Sequence, residues 1–134
     1  MARKTETREI LGKTFSLTQL SFPQARSALL RMGKILAPLM AKGAGKGKGS
    51  EDVEAALLSA VGNLSESDLE HFTKAFGFCT EYVQGDRARR LDREDVQEEL
   101  FAGDGFPLYL HWLKESFVFN FGDFFGEALR AAKP

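Results

Sequence analysis

Phenylalanine at helical spacing dominates the last third of the chain and limits the folds open to it. In the segment 106–126, Phe106, Leu110, Leu113, Phe117, Phe121, Phe124 and Phe125 recur at three- and four-residue intervals, and Pro107 suits a first helical turn. Trp112, Val118 and Phe119 lie off that stripe. A helix that is apolar on more than one face either sits at the centre of a core or keeps surface for a partner. Gly122 and Gly126 are four apart, so they share a face where another backbone could approach closely. Each costs about 1 kcal/mol of helix stability relative to alanine. That cost points to packing or binding, and a fraying helix end explains the pair equally well. Core filling is the first account of most of the twelve phenylalanines, and gripping another protein's apolar helix is the second.

Upstream, the spacing predicts a small, mainly α single domain over residues 1–134, with four to five helices and a short β-hairpin at its start. Residues 5–20 form the hairpin. Ile10-Leu11, a Gly12-Lys13 turn, and Phe15 and Leu17 alternating with Ser16 and Thr18 give a period of two. Such a hairpin is marginal alone and needs a helix against its apolar side. A first helix spans 22–41, opened by Ser21 and Pro23, with Ala25, Ala28, Leu29, Met32, Ile35 and Leu36 on one stripe. Four glycines among residues 42–49 mark a flexible Gly/Lys-rich linker.

The remainder, 50–134, reads as helical. Ser50 caps a segment with Val53, Ala56, Leu57, Ala60 and Val61 inward. Ser65-Glu-Ser-Asp68 has capping-box spacing and opens a helix whose face carries Leu69, Phe72, Phe76, Cys79 and Val83. Gln84-Gly85-Asp86 breaks the chain, and Arg87 to Arg90 reads as a solvated basic corner. A further helix runs from about Asp92 to Phe101 before the Phe-rich one.

Charge is divided along the chain. Residues 1–49 carry ten Lys and Arg against Glu6 and Glu9, a balance of +8, and the rest carries −9. The two halves can simply neutralise each other within one fold. The division can equally serve head-to-tail self-association or a charged partner. No apolar run reaches the roughly 18–20 residues of a membrane-spanning helix, and Met1-Ala2-Arg3-Lys4 does not lead into the apolar core of a secretory signal. A single cysteine, Cys79, excludes an intrachain disulfide and fits a reducing cytoplasm.

Chemistry-bearing patterns are weak. His71, His111 and Cys79 lack the spacing of a transition-metal site. His71 and Cys79 are two helical turns apart, so a shared face is geometrically open, but Phe72, Phe76 and Phe78 around them favour a buried, inert thiol. The stretch Gly43 to Gly49 lacks the frame of a phosphate loop, which needs a preceding strand and a Lys-Ser/Thr pair. Lys42, Lys46 and Lys48 could touch phosphates nonspecifically, yet a pI of 6.1 offers no extended basic face, so nucleic acid is not an expected partner. Asp92, Glu94, Asp95, Glu98 and Glu99 read as the solvated side of a helix rather than a general acid. No enzyme, metal or cofactor is expected.

The C-terminal Phe-Val-Phe-Asn-Phe-Gly-Asp-Phe-Phe-Gly (117–126) resembles the ending typical of phage tail assembly chaperones. Gly-Lys-x-Phe-x-Leu (12–17), Leu-Ser-Phe-Pro (20–23), the leucine-rich helix and the glycine-rich interruption are similar too. The resemblance implies a non-enzymatic protein of the infected or lysogenic host's cytoplasm, absent from the mature virion. Its implied partner is the long helical tape measure protein, kept soluble until tail tube subunits, a further implied partner, polymerise around it. Many members also exist as a longer frameshifted form. The expected partner-binding residues are Trp112, Phe117, Phe119, Phe121, Gly122, Phe124, Phe125 and Gly126, and Phe124→Asp or Phe125→Asp is expected to impair the rescue of the tape measure protein. Rival readings are a structural tail or baseplate subunit, which would stay in particles, and a nucleic-acid-binding regulator.

Overall fold

A computed structural model describes the backbone of residues 3–41 and 58–131, and the side chains of 3–35 and 58–122. Strands β1 (Thr5–Ile10) and β2 (Lys13–Thr18) are followed by helix α1 (Phe22–Ala41). After a helical stretch at 58–62 come α2 (Glu66–Phe78), β3 (Thr80–Gln84), β4 (Arg87–Arg90), α3 (Glu94–Phe101) and α4 (Phe106–Ala131). The Gly/Lys-rich stretch 42–49 and most of the segment capped by Ser50 lie outside the described residues.

The four strands form one antiparallel sheet in the order β1-β2-β3-β4. This corrects the expected mainly α domain with only a short hairpin, because the fold is α+β. The helix predicted to run from Leu69 to Val83 stops at Phe78, and Cys79 leaves helical geometry at φ −102, ψ 9. Cys79 and Val83 fit a helical stripe, but Thr80, Tyr82 and Val83 also suit a strand, and a short run of this kind satisfies both periods. Strand β2 decides between them. It pairs Leu17 with Thr80 and Phe15 with Tyr82, and all four side chains are buried on the same face. Gly85, at φ 56, starts a two-residue turn that returns the chain as β4. The basic corner at 87–90 is therefore a strand. Its Arg89 lies over the Tyr82 ring at 5.6 Å and forks onto Glu99 of α3 at 2.7 and 2.9 Å.

The first turn sits one residue earlier than the sequence suggests. Ile10 pairs with Lys13, so Leu11 (φ 47) and Gly12 (φ 84) occupy the corner, both with the positive φ of a type I′ hairpin. Ser65 caps α2 by accepting a hydrogen bond from the Asp68 backbone N–H at 3.1 Å.

Helix α4 crosses between the sheet and the other helices, which explains why it is apolar on more than one side. Toward the sheet, Trp112 Nε1 donates to Thr80 Oγ1 at 3.2 Å, and Thr80 Oγ1 donates to the Phe76 carbonyl at 2.7 Å. Phe119 lies under the cationic ends of Lys4 and Arg8. Toward α2, Phe117 meets Phe72 and Phe76 edge-on, both at 4.9 Å between centroids. Asn120 Oδ1 accepts the Leu20 backbone N–H at 2.9 Å, and Arg8 pairs with Glu115 at 2.7 Å. These bonds tie β1 and the segment that leaves β2 to one helix.

Candidate partner-binding surface

The residues expected to grip a partner divide into three groups. Trp112, Phe117, Phe119 and Phe121 belong to the core, the first two with no exposed surface. Gly122 is half-buried, and a Cβ built on it meets only Val118 of its own helix, at 3.4 Å. Phe124, Phe125 and Gly126 lie in the last turns of α4, and their side chains fall outside the described residues.

A concave surface opens elsewhere, between α2, α3 and the start of α4. It is a groove of about 750 Å³. Its floor is apolar: Leu69, Phe101 and Tyr109 are half-buried, and Phe106 is 53% exposed. Phe101 stacks on Trp112 at 5.7 Å and tilts against Tyr109 at 5.2 Å, so the floor is the outer rim of the core. Tyr109 and Thr73 share a 2.7 Å hydrogen bond between their hydroxyls across the base. Burial pushes the Tyr109 phenol up, only partly offset by that bond. The turn that aims Phe106 requires Gly105, because a Cβ there would collide with the Leu100 carbonyl.

The rim is acidic. Glu66 and Glu70 stand four apart on α2, and Glu94 and Glu98 stand four apart on α3. All four are exposed, and among the described residues none forms an ion pair. Like charges at this spacing repel by roughly 0.2–0.5 kcal/mol. Asp92, also on the rim, is engaged by Arg90 at 2.9 Å, and among the described residues Lys74 is the one basic side chain lining the groove. Such a surface suits a helix that is apolar along one stripe and cationic beside it.

A family model described as phage tail assembly chaperone protein, TAC, matches residues 11–131, nearly the whole chain. The chain belongs to the phage tail assembly chaperone family. No curated protein and no solved structure matches it. The match begins at the turn of the first hairpin and spans β2, the groove and the Phe-rich helix of this chaperone.

Among the groups weighed for chemistry, the structure describes the surroundings of His71 and Cys79. His71 Nε2 lies 3.3 Å from Ser27 Oγ, facing α1. Burial and the nearby Arg31 lower its pKa, against the opposing pull of Asp68. Burial raises the Cys79 thiol, outweighing Arg3 and Arg90, which is the reverse of nucleophile activation.

The groove is not visible in the sequence, where spacing puts Phe106 and Leu69 on core stripes and Glu94 and Glu98 on the solvated side of a helix. A usable signal existed in the two unpaired Glu/Glu spacings, 66/70 and 94/98, flanking aromatic residues.

A second exposed feature of the chaperone lies on α1. Phe22, Arg26, Leu30 and Lys34 are four residues apart and all exposed, Phe22 by 74% and Leu30 by 63%. The opposite side of the same helix buries Ala28 and Met32 completely.

Proposed function

We propose that this protein is a non-enzymatic chaperone of phage tail assembly that binds the tape measure protein and keeps it soluble during morphogenesis. A helical stretch of that client docks in the groove between α2, α3 and α4. The protein acts in the cytoplasm of the infected or lysogenic host and is released before the virion is complete. The observation that carries the reading is the groove itself, with an aromatic floor left open at the rim of the core. Contacts made at such an open surface can be displaced when tube subunits compete for the client.

Co-expression with the tape measure protein of the same phage tests this. The expected result is a soluble client recovered with the chaperone, and a loss of recovery with Phe106→Asp, whose side chain is outside the core. An insoluble client with no recovered complex removes the reading. Stoichiometric amounts of the chain in purified virions would favour a structural tail subunit instead.

A further inference from the structure

We propose that the groove selects its client by charge as well as by shape, taking helical segments whose apolar stripe is flanked on both sides by lysine or arginine. The inference rests on the client reading above and names the chemistry of the segment that binds. Two of the groove's acids have a reason to be there that concerns the fold alone. Glu66 and Glu94 stand in the first turns of α2 and α3, where the helix dipole favours an anion. Glu70 and Glu98 have no such account. Glu70 repeats the charge of Glu66 one turn on, and Glu98 stands in the last turn of α3, where the dipole opposes it. Among the described residues neither is in an ion pair, whereas the neighbouring Glu99 is held by Arg89 at 2.7 Å. Both line the same groove, one from α2 and one from α3. An unfavourable charge repeated on both sides of one apolar floor is offset by a cationic occupant.

The floor and walls fix the rest of that occupant. The polar groups at the base are already engaged. The Thr73 and Tyr109 hydroxyls bond each other at 2.7 Å, and the Gln97 side-chain amide donates to the Leu91 carbonyl at 2.9 Å. Among the described residues no strand lines the groove, so an extended peptide finds no sheet edge there to pair with. A helix satisfies its own backbone and needs only to lay an apolar stripe on Leu69, Phe101, Phe106 and Tyr109. The positions beside an a/d stripe are e and g, and these meet the two acidic walls. Helices with an acidic border are repelled by the same walls, so charge tells one amphipathic segment from another.

Synthetic peptides of about three heptads test this on the full chain, with leucine at a and d and either lysine or glutamate at e and g. Binding is read by fluorescence anisotropy at about 50 mM and about 0.5 M salt. At low salt the lysine peptide should bind the wild type roughly tenfold more tightly than the glutamate peptide, as about four exposed pairs would give, and the ratio should shrink at high salt. Glu70→Lys with Glu98→Lys, which leaves both helix starts intact, should abolish or reverse the preference. Phe106→Ala should weaken the lysine peptide severalfold, and a peptide with serine at a and d and lysine at e and g should bind at least tenfold less tightly than its leucine counterpart. Equal affinity for the lysine and glutamate peptides, or binding of neither, overturns the proposal. So does a preference that survives in the double variant, shown to be folded by circular dichroism, or a serine peptide that binds as tightly as the leucine one. A chaperone that rescues its client in co-expression yet binds both peptides alike keeps the client reading and loses only the charge rule.

Discussion

Replacing Thr80 with valine isolates one buried hydrogen bond that exists only because residues 80–84 are a strand. Thr80 and Trp112 are buried, and Trp112 Nε1 reaches Thr80 Oγ1 at 3.2 Å. Valine keeps the shape and removes the oxygen. The Phe76 carbonyl keeps a partner, because the Cys79 backbone N–H also donates to it at 3.0 Å. The indole N–H loses its partner in a site without water access. Leaving such a donor unpaired costs about 1–3 kcal/mol, and the extra buried methyl returns up to about 0.8 kcal/mol. The net loss is about 0.2–3 kcal/mol, centred near 1.5 kcal/mol, where Tm falls by roughly 4–8 °C for a domain of this size. Far-UV circular dichroism in urea should be run on the wild type, Thr80→Val, Trp112→Phe and the double variant. With phenylalanine at 112 no donor is stranded, so adding Thr80→Val there should cost under about 0.5 kcal/mol, leaving a coupling near 1 kcal/mol or more. Strict additivity, or a Thr80→Val as stable as wild type, would refute the placement of Thr80 against Trp112.

Three further perturbations bear on other parts of the fold. Leu11 holds φ 47 at an exposed corner, so Leu11→Asn, which tolerates that region and completes an Asn-Gly turn, should raise stability by up to about 1 kcal/mol in thermal melts. Burial raises the Glu115 carboxyl, but Lys114 and Arg8 outweigh it, and the net pKa lies below the ordinary 4.5. A depressed folded value means stability that is complete above the unfolded value and lost as pH falls through the folded one. Glu115→Gln should thus be less stable than wild type at pH 7, and the gap should close on acidification below 4.5, as read from urea titrations at each pH. Gly105→Ala should lower Tm and also loosen the groove, seen as faster amide exchange around Phe101 and Phe106, because its Cβ has no room beside the Leu100 carbonyl.

Helical spacing identified the Phe-rich segment as a helix, and α4 spans it, because a 26-residue element repeats its period often enough to be unambiguous. The second hairpin was missed for the opposite reason. Five residues, Thr80 to Gln84, fit both periods, and the Arg-Ala-Arg-Arg of β4 has no large apolar side chain to mark it. Only the long-range pairing of Phe15 with Tyr82 settles the matter, and no local window contains it. The same limit governs the surface. Which phenylalanines are buried depends on what α4 packs against, so Phe117 and Phe119 could not be separated from Phe106 by spacing alone. The resemblance carried by the C-terminal Phe-rich run and the opening hairpin proved sound for the family, while the groove became visible only once α2, α3 and α4 were brought together.

The central claim, that this tail assembly chaperone holds its client in the groove, is tested most directly by amide hydrogen exchange on the chaperone with and without the tape measure protein. The account predicts new protection concentrated at 69–74 and 97–109, with the outer face of the sheet unchanged. Protection confined to the sheet, or a complex that exchanges as the free protein does throughout these segments, would contradict it.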